Sequence, residues 1–144
     1  MLMVLETNVW LDWLVFDDPA MAILKQAHRD GRVNIAMDSA CLQELKAVLA
    51  YPEFGLDDAQ RKKHLAEVDR CVVRRDFQPA ACSATLPRCS DPNDQKFLAL
   101  ALDASADWLI TKDKALLKLN RRLKVAGFRV GSPSEWSASF TRAV

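Results

Sequence analysis

Four carboxylates stand out by position rather than by charge: Glu6, Glu44, Asp94 and Asp113. Glu6 ends the apolar run Leu2-Met3-Val4-Leu5, and Asp113 follows Trp108-Leu109-Ile110-Thr111. Acids at the carboxyl ends of parallel strands line the crevice in which open α/β sheets bind their ligands. The other two lie on apolar helical stripes. Asp94 precedes Phe97, Leu98 and Ala101 by three, four and seven residues, and Glu44 lies three after Cys41 and four before Val48. Those spacings turn both side chains inward or into a crevice. Each acid also has a plainer reading. Asp113 caps the next helix, Glu6 merely ends a strand, Asp94 sits in a first turn where the helix dipole favours a carboxylate, and Glu44 snorkels to water. Brought together, four carboxylates repel one another unless a cation neutralises them. All-oxygen ligation suits Mg²⁺ or Mn²⁺, ions that activate water and stabilise the charge developing on a phosphodiester in transit. A charge cluster thus becomes a hydrolytic hypothesis.

Such a cluster needs elements that deliver residues from distant parts of the chain to one place. The run at 2–5 reads as a buried strand passing into a helix over 9–15. Pro19 opens a helix to Arg29 with Ala22, Ile23 and Ala27 on one side, closed by Asp30-Gly31. A strand over 33–37 follows, then a helix capped by Ser39 and stopped at Pro52, and a polar helix from Asp57-Asp58 to about Arg74. Residues 77–90 read as a short strand plus loop. Asp91-Pro92 starts a helix to about Ala104, followed by a strand over 107–111, a short helix over 113–119, a strand over 128–130 and a turn around Glu135-Trp136. Repeated alternation of strand and helix predicts an α/β fold, a parallel sheet with helices on both faces.

At 144 residues, half of them hydrophobic and without repeat or linker, the expectation is one domain spanning 1–144. Twenty basic against nineteen acidic residues exclude a global field for polyanions or membranes, so any such site is local. The densest basic stretch is Lys112, Lys114, Lys118, Arg121, Arg122 and Lys124, as readily a solvated face as a phosphate contact. Four Cys without paired short spacings and two His argue against structural zinc, and His64 with Cys71 supply only two ligands. Trp10, Trp13 and Trp108 read as core. Absence of a Gly-rich loop after the first strand weakens nucleotide-binding readings. The opening apolar run is too short for a membrane or secretory segment, and a cytoplasmic, reduced setting is expected.

The chain resembles the PIN domains, most closely the toxin components of bacterial toxin–antitoxin systems. Four segments carry the likeness in order: Val4-Leu5-Glu6-Thr7-Asn8-Val9-Trp10-Leu11-Asp12; Cys41-Leu42-Gln43-Glu44-Leu45-Lys46-Ala47-Val48-Leu49 with Tyr51-Pro52-Glu53-Phe54; Asp91-Pro92-Asn93-Asp94-Gln95-Lys96-Phe97-Leu98-Ala99-Leu100-Ala101; and Ala106-Asp107-Trp108-Leu109-Ile110-Thr111-Lys112-Asp113. Pro133-Ser134-Glu135-Trp136 is similar to the tail of that subgroup. The resemblance implies a three-layer sandwich around a parallel sheet and an endoribonuclease holding Mg²⁺ or Mn²⁺ through Glu6, Glu44, Asp94 and Asp113. It implies Asp91 beyond the direct ligands, and Thr7, Asn8 and Thr111 orienting the acids by hydrogen bonds. It further implies Lys112 or Lys114 against the RNA backbone, an antitoxin protein as partner, and a homodimer.

Position 6 departs from the family pattern, which has Asp there. Glu6 keeps the charge but carries its carboxylate about 1.5 Å further out. Mg²⁺ tolerates distorted octahedra badly, and misplacing a catalytic group by about 1 Å can cost on the order of a hundredfold in rate. Reduced activity is therefore expected. The competing reading is a catalytically weak PIN fold that works as an RNA-binding or protein-interaction module, with a phosphoacceptor receiver-like domain a distant third.

Overall fold

The computed structural model describes residues 1–74 and 87–142. The predicted alternation is present. Among the described residues five strands, β1 (Leu2–Leu5), β2 (Asn34–Met37), β3 (Val72–Arg74), β4 (Trp108–Ile110) and β5 (Arg129–Gly131), are interleaved with helices α1 (Thr7–Leu14), α2 (Ala22–Arg29), α3 (Ser39–Leu49), α4 (Asp58–Cys71), α5 (Gln95–Asp103), α6 (Lys114–Leu117), α7 (Asn120–Leu123) and α8 (Pro133–Arg142). Met3, Val4 and Leu5 are all buried, as are Ile35, Ala36 and Met37. Successive strand residues point to opposite faces, so helices must cover the sheet on both sides. The result is a three-layer α/β sandwich.

All strand pairs are parallel, in the order β3-β2-β1-β4-β5. The chain steps outward from β1 to β3, returns to the other side of β1 as β4, and steps outward again to β5. The reversal between β1 and β4 is a topological switch point, where a crevice opens beyond the strand ends. Leu5 pairs with Ile110, and the Glu6 N–H donates to the Ile110 carbonyl at 3.0 Å, so Glu6 and Thr111 leave the sheet side by side.

Four local expectations are corrected. The polar helix α4 ends at Cys71, and Val72–Arg74 is β3, an edge strand on β2 rather than more helix. Helix α3 is capped by Asp38, whose Oδ1 accepts the Cys41 N–H at 2.9 Å, not by Ser39, its first helical residue. The C-terminal turn is a ten-residue helix with Pro133 as its first residue and Trp136 buried. On α2, Leu24 and Ala27 face the core with the preceding Met21, whereas Ala22 and Ile23 are exposed. Most of the expected strand and loop over 77–90 lies outside the described residues. No helix among the described residues is long and apolar enough to cross a membrane.

Trp10, Trp136 and Phe97 are the largest fully buried side chains, and Trp13 packs 5.6 Å from Trp10. Both tryptophans of α1 are core, as expected. Trp108 is half-buried, with the Arg129 guanidinium 5.8 Å from its ring centroid.

Candidate active site

Three of the four carboxylates, Glu6, Asp94 and Asp113, are set in place at the ends of elements, and the fourth lies within a helix. Glu6 is the residue at which β1 ends and α1 begins; its carbonyl accepts the Val9 and Trp10 N–H groups. Asp113 caps α6, its Oδ1 accepting the Ala115 N–H at 2.8 Å, while its own N–H donates to Thr111 Oγ1 at 3.0 Å. The plainer reading of Asp113 is thus correct as far as it goes. It does not exclude the other, because the second carboxylate oxygen remains outside the cap. Asp94 closes a 3-10 turn over Pro92–Asp94 that Asp91 caps, accepting the Asn93 N–H at 3.0 Å. Glu44 lies midway along α3, half-buried at the edge of its stripe.

These four acids, the outermost two 107 residues apart in sequence, act electrostatically on one another. Glu6 is 4% exposed, and its pKa is pushed up to about 7, first by burial and then by Asp94, Glu44 and Asp113, against a lowering by the Asn8 backbone N–H. Burial likewise raises Asp94 to about 6, helped by its hydrogen bond to the Asp113 carboxylate and by Asp91 and Glu44. Burial and neighbouring carboxylates thus disfavour the charged forms of Glu6 and Asp94.

The supporting residues divide. Thr7 is buried and donates through Oγ1 to Glu44 Oε2, the orienting contact expected of it. Thr111 is fully buried and positions Asp113 through its backbone. Asn8 serves through its main chain, as its residue is exposed. Asp91 is exposed at the rim and acts on Asp94 through charge. Lys114 is exposed, whereas Lys112 Nζ pairs with Asp12 Oδ2 at 2.5 Å.

Two residues without an assigned role thereby enter the picture. Asp12 is a buried carboxylate on the otherwise apolar face of α1, and a charge inside Val9-Trp10-Leu11-Asp12-Trp13-Leu14 was the available signal. Lys96 reaches from α5 to Glu44 Oε1 at 2.7 Å and to the Asn93 carbonyl at 2.8 Å. No local spacing announces that pair, since 52 residues separate its members.

Among the described residues, no three His, Cys, Asp or Glu side chains are already arranged to hold an ion. Both Glu44 oxygens are engaged, and one Asp113 oxygen caps a helix. The donor set nevertheless fits a hard cation. Glu6 Oε2 and Asp94 Oδ2 are buried and have no hydrogen-bond partner, a costly state for carboxylate oxygens unless protons or a cation satisfy them.

The sequence profile of the PIN domain matches residues 3–115. No curated protein matches the chain in sequence. Among solved structures, VapBC2 from Rickettsia felis bound to a DNA fragment from its promoter is similar at 17% identity, covering 90% of this chain and 97% of that one with a TM-score of 0.61. At that identity the likeness is one of fold.

Proposed function

The chain belongs to the PIN domain family, whose members are generally nucleases that use divalent metal ions, and on that premise we propose that it is an Mg²⁺- or Mn²⁺-dependent endoribonuclease, the toxin of a toxin–antitoxin pair. The observation that supports the reading is the pair of buried, unpartnered oxygens on Glu6 and Asp94, whose carboxyls also feel the charges of Glu44 and Asp113. When bound there, a divalent ion lowers the pKa of a coordinated water and offsets charge developing on the phosphodiester. The protein supplies the rest. Glu6 and Asp113 present oxygens beyond two adjacent strand ends and Asp94 from the start of α5, Thr7 and Thr111 hold Glu44 and Asp113 in orientation, and exposed Lys114 offers a contact for the RNA backbone. An RNA substrate, an antitoxin partner and a homodimer accompany this reading. They rest on the motif resemblance, and the fold shared with VapBC2 supports the antitoxin.

The longer Glu6 side chain lowers activity in this reading. The alternative, a PIN fold that binds RNA or protein without cutting, draws on the same residue and on the engagement of Glu44. Cleavage of a labelled RNA in Mn²⁺ separates the two. Glu6→Asp is expected to raise the rate by about tenfold to a hundredfold, and Asp94→Asn to abolish it, with growth inhibition on expression following the same order. Equal rates in all three proteins would sink the nuclease assignment.

A further inference from the structure

An ammonium group, that of Lys96, reaches into the acidic cluster. Lys96 Nζ lies 2.7 Å from Glu44 Oε1, and Thr7 holds Oε2 of the same carboxylate, so both oxygens of Glu44 are already hydrogen-bonded. A second tether, 2.8 Å to the Asn93 carbonyl, fixes the ammonium one residue from Asp94 in sequence. Both side chains of the pair are about three-quarters buried. A lysine in such a position spends its charge on Glu44 rather than in water. By contrast, Glu6 Oε2 and Asp94 Oδ2 are buried without a hydrogen-bond partner, on residues each more than nine-tenths buried.

We propose that Lys96 is a built-in counter-ion that takes the place of a second divalent cation. The site then holds one ion, through Glu6, Asp94 and Asp113, while Glu44 serves as the anchor of Lys96 and not as a ligand. The proposal rests on the metal-dependent reading above and divides the four acids into two roles. Two-metal sites place their ions about 3.5–4 Å apart, each needing carboxylate oxygens of its own. Here the fourth carboxylate is already paired, and the ammonium held against it supplies positive charge within the cluster. Lys96 is in this sense a positioning residue: it sets the charge and the ligand count of the site.

The test is Mn²⁺ binding followed by isothermal titration calorimetry on the full chain, with thermal unfolding of every variant as a folding control. Wild type is expected to bind one Mn²⁺. Glu44→Gln should change its affinity less than about threefold, whereas Asp94→Asn should weaken it by about a hundredfold. Lys96→Gln removes a like charge from the neighbourhood of the ion and frees Glu44, so Mn²⁺ should bind about tenfold more tightly or with a second equivalent. Lys96→Arg keeps the charge and should restore single-ion binding. A lysine of purely structural value would give weaker binding in Lys96→Gln, never tighter. Two equivalents in wild type, or a loss in Glu44→Gln equal to that in Asp94→Asn, overturns the role of Lys96 while leaving a metal-dependent nuclease intact. Absence of Mn²⁺ binding in wild type overturns both.

Discussion

Glu6 concentrates the tension of the molecule in one side chain. Its carboxyl is held at a pKa of about 7 against an ordinary 4.5, chiefly by burial, and the sign of the consequence follows directly. A carboxyl that binds its proton more tightly in the folded chain contributes stability that is complete below about pH 4.5 and lost as pH rises through about 7. Asp94, raised from 3.8 to about 6, acts in the same sense over a lower window. The metal-free protein is therefore expected to lose on the order of 3 kcal/mol between pH 5 and pH 8. Thermal unfolding in a chelator measures this, and Glu6→Gln, which cannot ionise, should flatten the part of the slope above pH 6. An unchanged slope in that variant would assign the pH dependence elsewhere. At this scale the sequence was a good guide to the acids, because strand ends and helix stripes are local properties. Lys96 was invisible to it, since the partner that gives the side chain meaning arrives from another helix.

Elements explain how the acids stay put. The loop after β4 carries Thr111, Lys112 and Asp113 in succession, and Lys112 ties it to α1 through Asp12, whose side chain is only 8% exposed. Removing one partner of a buried pair strands the other charge. Because the lysine end is 47% exposed, Lys112→Met is expected to cost about 2 kcal/mol, below the range for fully buried pairs. Asp12→Asn in the same chain should recover most of it. Urea unfolding decides the matter, for a lysine that merely touched RNA would leave the midpoint where it was. Two elements escaped sequence reading for identifiable reasons. Strand β3 follows α4 without a Gly or Pro to mark the break, and Val72-Val73 fits a helical stripe as well as an edge strand. Helix α8 was hidden by Pro133, which looks like a stop and is in fact a first helical residue, where the missing N–H costs nothing.

The whole molecule is a sheet with its order reversed at the middle. Alternating strands and helices made the parallel sheet and its two covered faces legible, because buried strands read as continuous apolar runs. Strand order was not legible, since nothing in a four-residue apolar segment names its neighbour. That order has a consequence for how the protein comes into being. Strands β1 to β3 lie within the first 74 residues, while β4 and β5 begin at Trp108, and the two groups join along the β1–β4 seam. Glu6 and Glu44 belong to the earlier group, Asp94 and Asp113 to the later. A nascent chain emerging from the ribosome therefore holds only two of the four acids until its last third has been made and β4 has zipped onto β1. On the proposed toxin reading, two polypeptides divided between these groups should each be harmless when expressed alone, and growth arrest should appear only in cells that make both.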